Sequence, residues 1–316
     1  MNIKINFALY AVIAFVLVCS CKNDKTDRHT DTVRSGVIQI GVDENFAPII
    51  QQEIDVFEAK NQTAGIVPIY TTENEAINLL LKDSVRMIVT SHKLTKDQHK
   101  YLESKKMFAQ EAKIATDAIA LIVNKNNPDT LFTVSEIRKI MTGEITEWKA
   151  FRNNSILGKI KLVFDNEQSS TIRYAIDSIC GGKPLYEGLY AQGSNQKVIE
   201  YVSSDLNAIG VIGVDWVGND SDTTNLSFNN KVTVASLSNE TVALKTNSYK
   251  PYQAYMALQY YPFLRDIYII ITDPRVGLAT GFTSFICSDK GQRIILRAGI
   301  VPATQSLRVV NVRKNL

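Results

Sequence analysis

The chain is poor in the residues that carry most catalytic and metal chemistry. Its 316 residues hold three histidines, four cysteines and two tryptophans. Three scattered histidines leave little material for a zinc site, and four cysteines are too few for a small scaffold built on disulfides. Charge of one sign is missing as well. The 35 basic and 32 acidic residues leave a net +3, without the clustered basic face that a nucleic-acid partner requires. Enzymatic signatures are absent too. There is no G-x-S-x-G elbow, and Gly182-Lys183 lacks the glycine five positions earlier that a phosphate loop needs. His92 and His99 are seven apart, not the four of a zincin helix. The chain reads as a non-enzyme with no cofactor and no metal. What is present is apolar substance, 45% of the residues, which excludes disorder and fits two domains at about 150 residues each.

The N-terminus departs from that average. Phe7 to Val18 is a twelve-residue uncharged run, too short at about 1.5 Å per residue to cross about 30 Å of hydrocarbon but suited to a secretory signal. It ends in Leu17-Val18-Cys19-Ser20-Cys21, which resembles the bacterial lipobox. The resemblance implies cleavage after residue 20 and lipidation of Cys21, hence an extracytoplasmic, membrane-anchored protein. An ordinary cleaved signal with a chance cysteine is the alternative. Lys22 to Ser35 carries seven charges and Val33 as its only aliphatic residue, so 21–35 is expected to be a flexible tether. Nothing later is long enough for a membrane helix. Cys180 and Cys287, 107 positions apart, are expected to be buried unpaired thiols.

From Val37 onward short β-rich runs alternate with helical periods, the pattern of α/β folding. Strands are expected at Val37–Val42, Gly65–Tyr70, Val85–Val89, Ala118–Val123, Ile160–Phe164, Ala208–Gly213 and Tyr268–Ile271. Ile49, Ile50, Ile54 and Phe57 mark a helix face with Glu53 and Glu58 off it. Thr133-Val134-Ser135-Glu136 spells a capping box. Glu73 and Glu75 flank a helix start and read as dipole partners. Four strands run into short Thr/Ser/Asn/Asp/Glu stretches near helix starts. In open α/β sheets ligands bind beyond the carboxyl ends of strands, and helix starts there favour an anion. Helix capping in any α/β protein produces similar stretches.

The landmarks together resemble the phosphate-binding substrate-binding proteins of phosphate-specific ABC importers. Asp43-Glu44-Asn45-Phe46-Ala47-Pro48 stands where that family has its first phosphate-binding turn. Asn166-Glu167-Gln168-Ser169-Ser170-Thr171 resembles its Ser-Gly-Thr loop, Asn207 to Gly213 its "GAIGY" strand, and Gly291-Gln292 with Gly299 to Pro302 its closing helix and turn. The resemblance implies an α/β, two-lobed periplasmic-binding-protein fold (type II-like), with lobes joined by two crossing hinge strands. Lobe one would take 36–127 and 266–316, and lobe two 128–265.

It also implies a lipid-anchored protein that captures inorganic phosphate in an interlobe cleft and hands it to ABC permease subunits. Another oxyanion, a small metabolite, a sensor role, or a surface adhesion or scaffold role are the alternatives. Asn45 and Phe46 would offer backbone N–H groups. Thr71 or Thr72 takes the place of a family serine, and Thr90 or Ser91 lies at the third strand's end. Ser169, Ser170 and Thr171 would supply hydroxyls and helix N–H groups. The family's aspartate and arginine positions hold Arg86 and Asp165 here, with signs reversed. Two readings stay open: an exchanged pair across the cleft, or a register offset that leaves Arg86 a solvated strand-end charge. The aromatic patch of Tyr249, Tyr252, Tyr255, Tyr260, Tyr261 and Phe263 reads as hinge packing or as a docking surface.

Overall fold

The computed structural model describes residues 31–151, 155–219, 221–222 and 227–305. The signal sequence, Cys21 and most of the expected tether lie outside the described residues. Among those described, no helix is long and apolar enough to cross a membrane.

The chain opens with β1 (Gly36–Asp43), a 3-10 turn at Glu44–Phe46, α1 (Ala47–Lys60), β2 (Ala64–Thr71), α2 (Glu73–Leu81), β3 (Met87–Thr90) and α3 (Lys96–Ser104). Pro48 sits in the first turn of α1, where its missing N–H costs nothing. Next comes the long strand β4 (Gln110–Val123), followed by β5 (Leu131–Thr133), α4 (Val134–Met141), the short α5 (Trp148–Phe151) and β6 (Lys161–Phe164). The capping box at α4 forms in both directions: Glu136 N donates to Thr133 Oγ1 at 3.1 Å and Thr133 N to Glu136 Oε2 at 2.7 Å. Then follow α6 (Ser170–Tyr174) with a π-helical turn at Ala175–Ile179, β7 (Tyr190–Ala191), α7 (Asn195–Ser204) and β8 (Ala208–Gly213). The last elements are β9 (Thr233–Val234), β10 (Ser236–Ser238), α8 (Gln253–Ala257), β11 (Leu264–Ile271), α9 (Leu278–Cys287), α10 (Asp289–Arg297) and β12 (Val301–Pro302).

The main sheet runs β2-β1-β3-β11-β4-β8-β6-β7. β1 pairs in parallel with β2 and β3, and β6 in parallel with β8 and β7. The antiparallel strand β4 joins the two halves. Its front half lies along β11 from Ala118↔Leu264 to Gln110↔Ile271, while its back half lies along β8 from Ile119↔Gly213 to Val123↔Ile209. The chain therefore changes sheet between Ala118 and Ile119, and again near Phe263. The sequence boundaries at 127 and 265 fall later, because β4 is one uninterrupted strand shared by both sheets. At the crossing Ile119 N donates to Phe263 O at 2.9 Å, and the buried Tyr261 hydroxyl to Ile119 O at 2.7 Å. Tyr261 and Phe263 are thus hinge packing, whereas Tyr255 and Tyr260 are exposed.

Three expectations change. The residues from Asp31 to Ser35, read as the end of a tether, are docked: Leu278 N donates to Asp31 Oδ2 at 2.6 Å, and Thr32 bridges Ser35. Glu53, read as lying off the apolar face of α1, is fully buried among core residues, with neither oxygen hydrogen-bonded among the described residues. Tyr268–Ile271 is only the last half of β11. Cys180 is buried and Cys287 half-buried, each a free thiol.

Candidate ligand-binding site between the two sheets

Parallel pairing brings the carboxyl ends of β1, β2 and β3 together, with Asp43 opposite Thr71 and Val42 opposite Val89. β6 delivers Asp165 and the start of α6 from the other half. The meeting point is Asn45. Its Nδ2 lies 3.2 Å from each of Asp43 Oδ1, Asp165 Oδ2 and Ser170 Oγ. Its Oδ1 accepts from Thr171 Oγ1 at 2.9 Å and from Asn195 Nδ2 at 3.4 Å. Trp216 Nε1 donates to the Asn45 carbonyl at 3.1 Å. Asn45, Asp43, Asp165, Ser170, Thr171 and Asn195 are each at most 1% exposed. A cleft lined by Thr72, Asp165, Asn166, Gln168, Gln192 and Gly193 opens beside this cluster.

The cation at this point is Arg265, on β11. Its Nε and Nη2 lie 3.0 and 2.9 Å from Asp117 Oδ2, its cross-strand partner on β4. Its Nη1 donates to Ser170 Oγ at 3.0 Å, and its guanidinium stands 4.8 Å from the centre of the Phe46 ring. Burial on this scale makes such a pair expensive to assemble and more expensive to break. The chain thus invests its buried positive charge here.

Arg86 does not belong to this cluster. It precedes Met87, the first residue of β3, so it lies at the amino end of that strand. Its Nε is 3.9 Å from Asp83 Oδ1 with about half of each side chain in solvent. The exchanged Arg86–Asp165 pair does not form, because strand length separates Arg86 from the carboxyl ends where Asp165 sits. Asp165 instead accepts from Ser169 Oγ at 2.7 Å and from Asn45. Ser169 also caps α6, accepting from Ile172 N at 3.2 Å.

Thr71 and Thr72 are half-buried, and Thr72 lines the cleft and caps α2. Thr90 is buried and donates to His92 O at 2.8 Å. Ser91 joins a second cluster that the sequence did not reveal. Its N and Oγ donate to Glu73 Oε1 at 2.8 and 2.6 Å, and Arg173 of α6 reaches across to Glu73 Oε2 at 2.7 Å and to Ser91 Oγ at 2.6 Å. His92 Nδ1 stands 3.0 Å from the same carboxylate.

Electrostatically the centre is rich in acceptors. Burial, reinforced by repulsion from Glu73 and offset in part by Arg265, pushes Asp43 up to about 6. Burial also raises Asp165, Asp117 and Glu44, the last with help from Asp165 and Asp43. Burial alone would raise Glu73 too, yet hydrogen bonds from His92 and Arg173 outweigh it and hold that carboxyl well below its usual range.

A family model described as a PBP superfamily domain matches residues 23–290. The chain belongs to the PBP superfamily. Within it, the chain is 24% identical over 304 residues to the phosphate-binding protein PstS of Borreliella burgdorferi, covering 93% of this chain and 96% of that one. Among solved structures it is similar to a Clostridium perfringens protein with phosphate bound, at a TM-score of 0.70 and 19% identity, covering 85% of this chain and all of the other. It is likewise similar to an ABC-type phosphate transport receptor from Vibrio cholerae, at a TM-score of 0.62 and 20% identity, covering 84% of this chain and all of that one. Those likenesses show that this superfamily member has the mixed α/β, two-lobed fold of phosphate-binding proteins.

Two features of the PBP site were hidden in the sequence. Arg265 and Asp117 each border the apolar part of their strand, beside Ile267 to Ile271 and Ala118 to Val123, and that was the available signal. Arg173 and Glu73 carried no such mark, since an acid in the first turn of α2 and a base in the last turn of α6 are where helices ordinarily carry those charges.

Proposed function

We propose that the chain is an extracytoplasmic binding protein, lipid-anchored through Cys21, that captures inorganic phosphate between its lobes and delivers it to the permease of an ABC importer. The observation that carries this reading is the buried convergence on Asn45. Donors from the second half, the Thr171 hydroxyl and the Asn195 amide, already share one acceptor atom of the first half there, and Ser170 and Arg265 stand beside it. An oxyanion entering the site would take that acceptor's place. The relatives, a phosphate-binding protein and a phosphate transport receptor, support the same choice of ligand.

In this reading lobe one comprises β1 to β3, the front of β4, β11 and β12, with lobe two between them. Asn45 and Phe46 face Ser169, Ser170 and Thr171 across the ligand. Arg265 is the guanidinium of the site in place of Arg86, and Thr71, Thr72, Thr90 and Ser91 form its rim. Ligand stabilises the closed form by binding it better than the open one, and the protein carries the anion without transforming it.

A melting screen of the full chain with phosphate, arsenate, sulfate and molybdate tests this. A micromolar binder at millimolar ligand gains about 4 kcal/mol, which raises Tm by several degrees. A rise with phosphate or arsenate supports the reading, and none with any oxyanion refutes it.

A further inference from the structure

A groove of about 660 Å³ lies at the end of lobe one remote from the cleft, between the last turn of α1 and the helices α9 and α10. α1 begins beside Asn45 and ends at Lys60, 14 residues and about 21 Å further on. The Phe57 and Phe285 rings, 5.3 Å apart, line the groove, and the exposed Arg34, Lys60 and Lys290 stand around it. The chain enters the fold here. Asp31 accepts from Leu278 N, and the Val33 backbone runs so close to α9 that a Cβ on Gly281 would collide with the Val33 carbonyl.

Among the described residues no carboxylate lines this groove, and none of its three cations has an ion-pair partner. Acids of the neighbouring turns are engaged elsewhere: Asp273 with Gly277 N and Thr280 Oγ1, each at 3.0 Å, and Asp289 with Arg293 at 2.9 Å. Lys60 Nζ lies 5.7 Å from the centre of the Phe285 ring, with Lys290 beside it. Desolvation, then the Lys290 ammonium, lower the Lys60 pKa. Two like charges held together without a counter-charge from the fold call for an anion. Val276, 75% exposed, and Val33, 37% exposed, add apolar surface around them. Ten positions separate Cys21 from Asp31. At about 3.5 Å each, a lipid on Cys21 keeps this groove within about 35 Å of the bilayer. Gln305, 3.3 Å from Asp289 and so close to Lys290, is followed in 306–316 by Arg308, Arg313 and Lys314 and by no acidic side chain.

Resting on the lipid-anchored reading, we propose that this end of lobe one lies on the membrane, with the phosphate of an anionic phospholipid seated between Lys60 and Lys290 and with Val33 and Val276 entering the headgroup layer. Each base close to an anionic surface favours contact by about fivefold at low salt, an effect that fades beyond about 10 Å at 0.1 M. A soluble anion would use the two ammonium groups but leave the apolar rim in water. The bilayer satisfies both. In this arrangement the lipid supplies attachment and the groove supplies orientation. α1 and β1 both lead away from this face, to Asn45 and Asp43, so the cleft is held about 20 Å clear of the bilayer.

The test is amine acetylation of the full lipidated chain, read residue by residue by mass spectrometry. It is run on vesicles of phosphatidylcholine alone and on vesicles of equal parts phosphatidylcholine and phosphatidylglycerol. Lys60 and Lys290 should react at least about fivefold more slowly on the anionic vesicles at low salt, and the difference should shrink at high salt. Lys183 and Lys231, exposed on lobe two, should react equally on both. Equal rates at Lys60 and Lys290 on the two vesicles overturn the inference, and so does slowing shared by Lys183 and Lys231. Slowing on phosphatidylcholine vesicles when millimolar inorganic phosphate is added also overturns it, marking a free-anion site instead. Co-flotation with phosphatidylcholine vesicles reports the anchor separately. A chain that fails to float overturns the anchored reading and this inference with it, whereas a floating chain with equal rates overturns the inference alone.

Discussion

Arg173 and Glu73 join the two halves of the molecule directly: the guanidinium Nε of one lies 2.7 Å from the carboxylate Oε2 of the other, a hundred residues away in sequence. Glu73 is buried and held by Ser91 and His92 on its own side, while a third of Arg173 faces solvent. The pair is a clasp across the cleft.

Arg173→Ala should therefore shift the unliganded protein toward an open form. Charge-assisted bonds are worth about 1.5–3 kcal/mol when shielded, and the exposure of Arg173 reduces this to about 1 kcal/mol, roughly fivefold in the open-to-closed ratio. Small-angle scattering should show a larger radius of gyration, and an unchanged profile would remove the clasp from the account. Since Glu73 is held below its ordinary value, its contribution is complete above the unfolded value of 4.5 and disappears only as the pH drops well below it.

Arg265 and Asp117 behave differently, because both side chains are 2% exposed. Arg265→Met alone leaves Asp117 charged or forcibly protonated in the interior and should cost about 3–5 kcal/mol. The double variant Arg265→Met with Asp117→Leu should recover much of that loss in chemical denaturation. A single variant as stable as the parent would show that the pair is not buried in solution.

Glu53 offers a prediction far from the site. Burial pushes its carboxyl up to about 9 from 4.5, so the native state keeps a proton that the unfolded chain releases above 4.5. Stability is then lost as the pH rises through that window. Glu53→Gln should match the parent near pH 4.5 and exceed it by up to about 5 kcal/mol at pH 8, a rise of several degrees in Tm. Equal melting at both pH values contradicts a buried, unpaired Glu53.

Arg86→Ala should leave phosphate affinity unchanged and stability within about 0.5 kcal/mol, since its ion pair among the described residues is an exposed one with Asp83. A tenfold loss of affinity in calorimetry would return Arg86 to the site.

Local signals in this chain were readable and long-range pairing was not. Ala208–Gly213 was legible to the residue, as was the capping box at Thr133, because each depends on neighbours a few positions away. The front of β4, Gln-Glu-Ala-Lys-Ile, hid its strand behind polar residues, and with it the partner of Arg265. Arg86 stayed open between the site and a solvated strand end, and the second holds: parity puts it on the same strand face as Thr90 but says nothing about which end of the strand holds the site. Asn45 was expected to act through its backbone N–H. That N–H is taken by Asp43 Oδ1 at 3.1 Å, and the side chain is the part that reaches the other lobe.

The central claim is that an oxyanion binds where Asn45 meets Ser170 and Thr171. Titrating the full chain and its Ser170→Ala/Thr171→Ala variant with phosphate at pH 6.5 tests it most directly, with circular dichroism to confirm that the variant folds. The account predicts saturable binding by the parent at about micromolar Kd, one phosphate per chain, weakened at least tenfold in the variant. Equal affinity in parent and variant would contradict it.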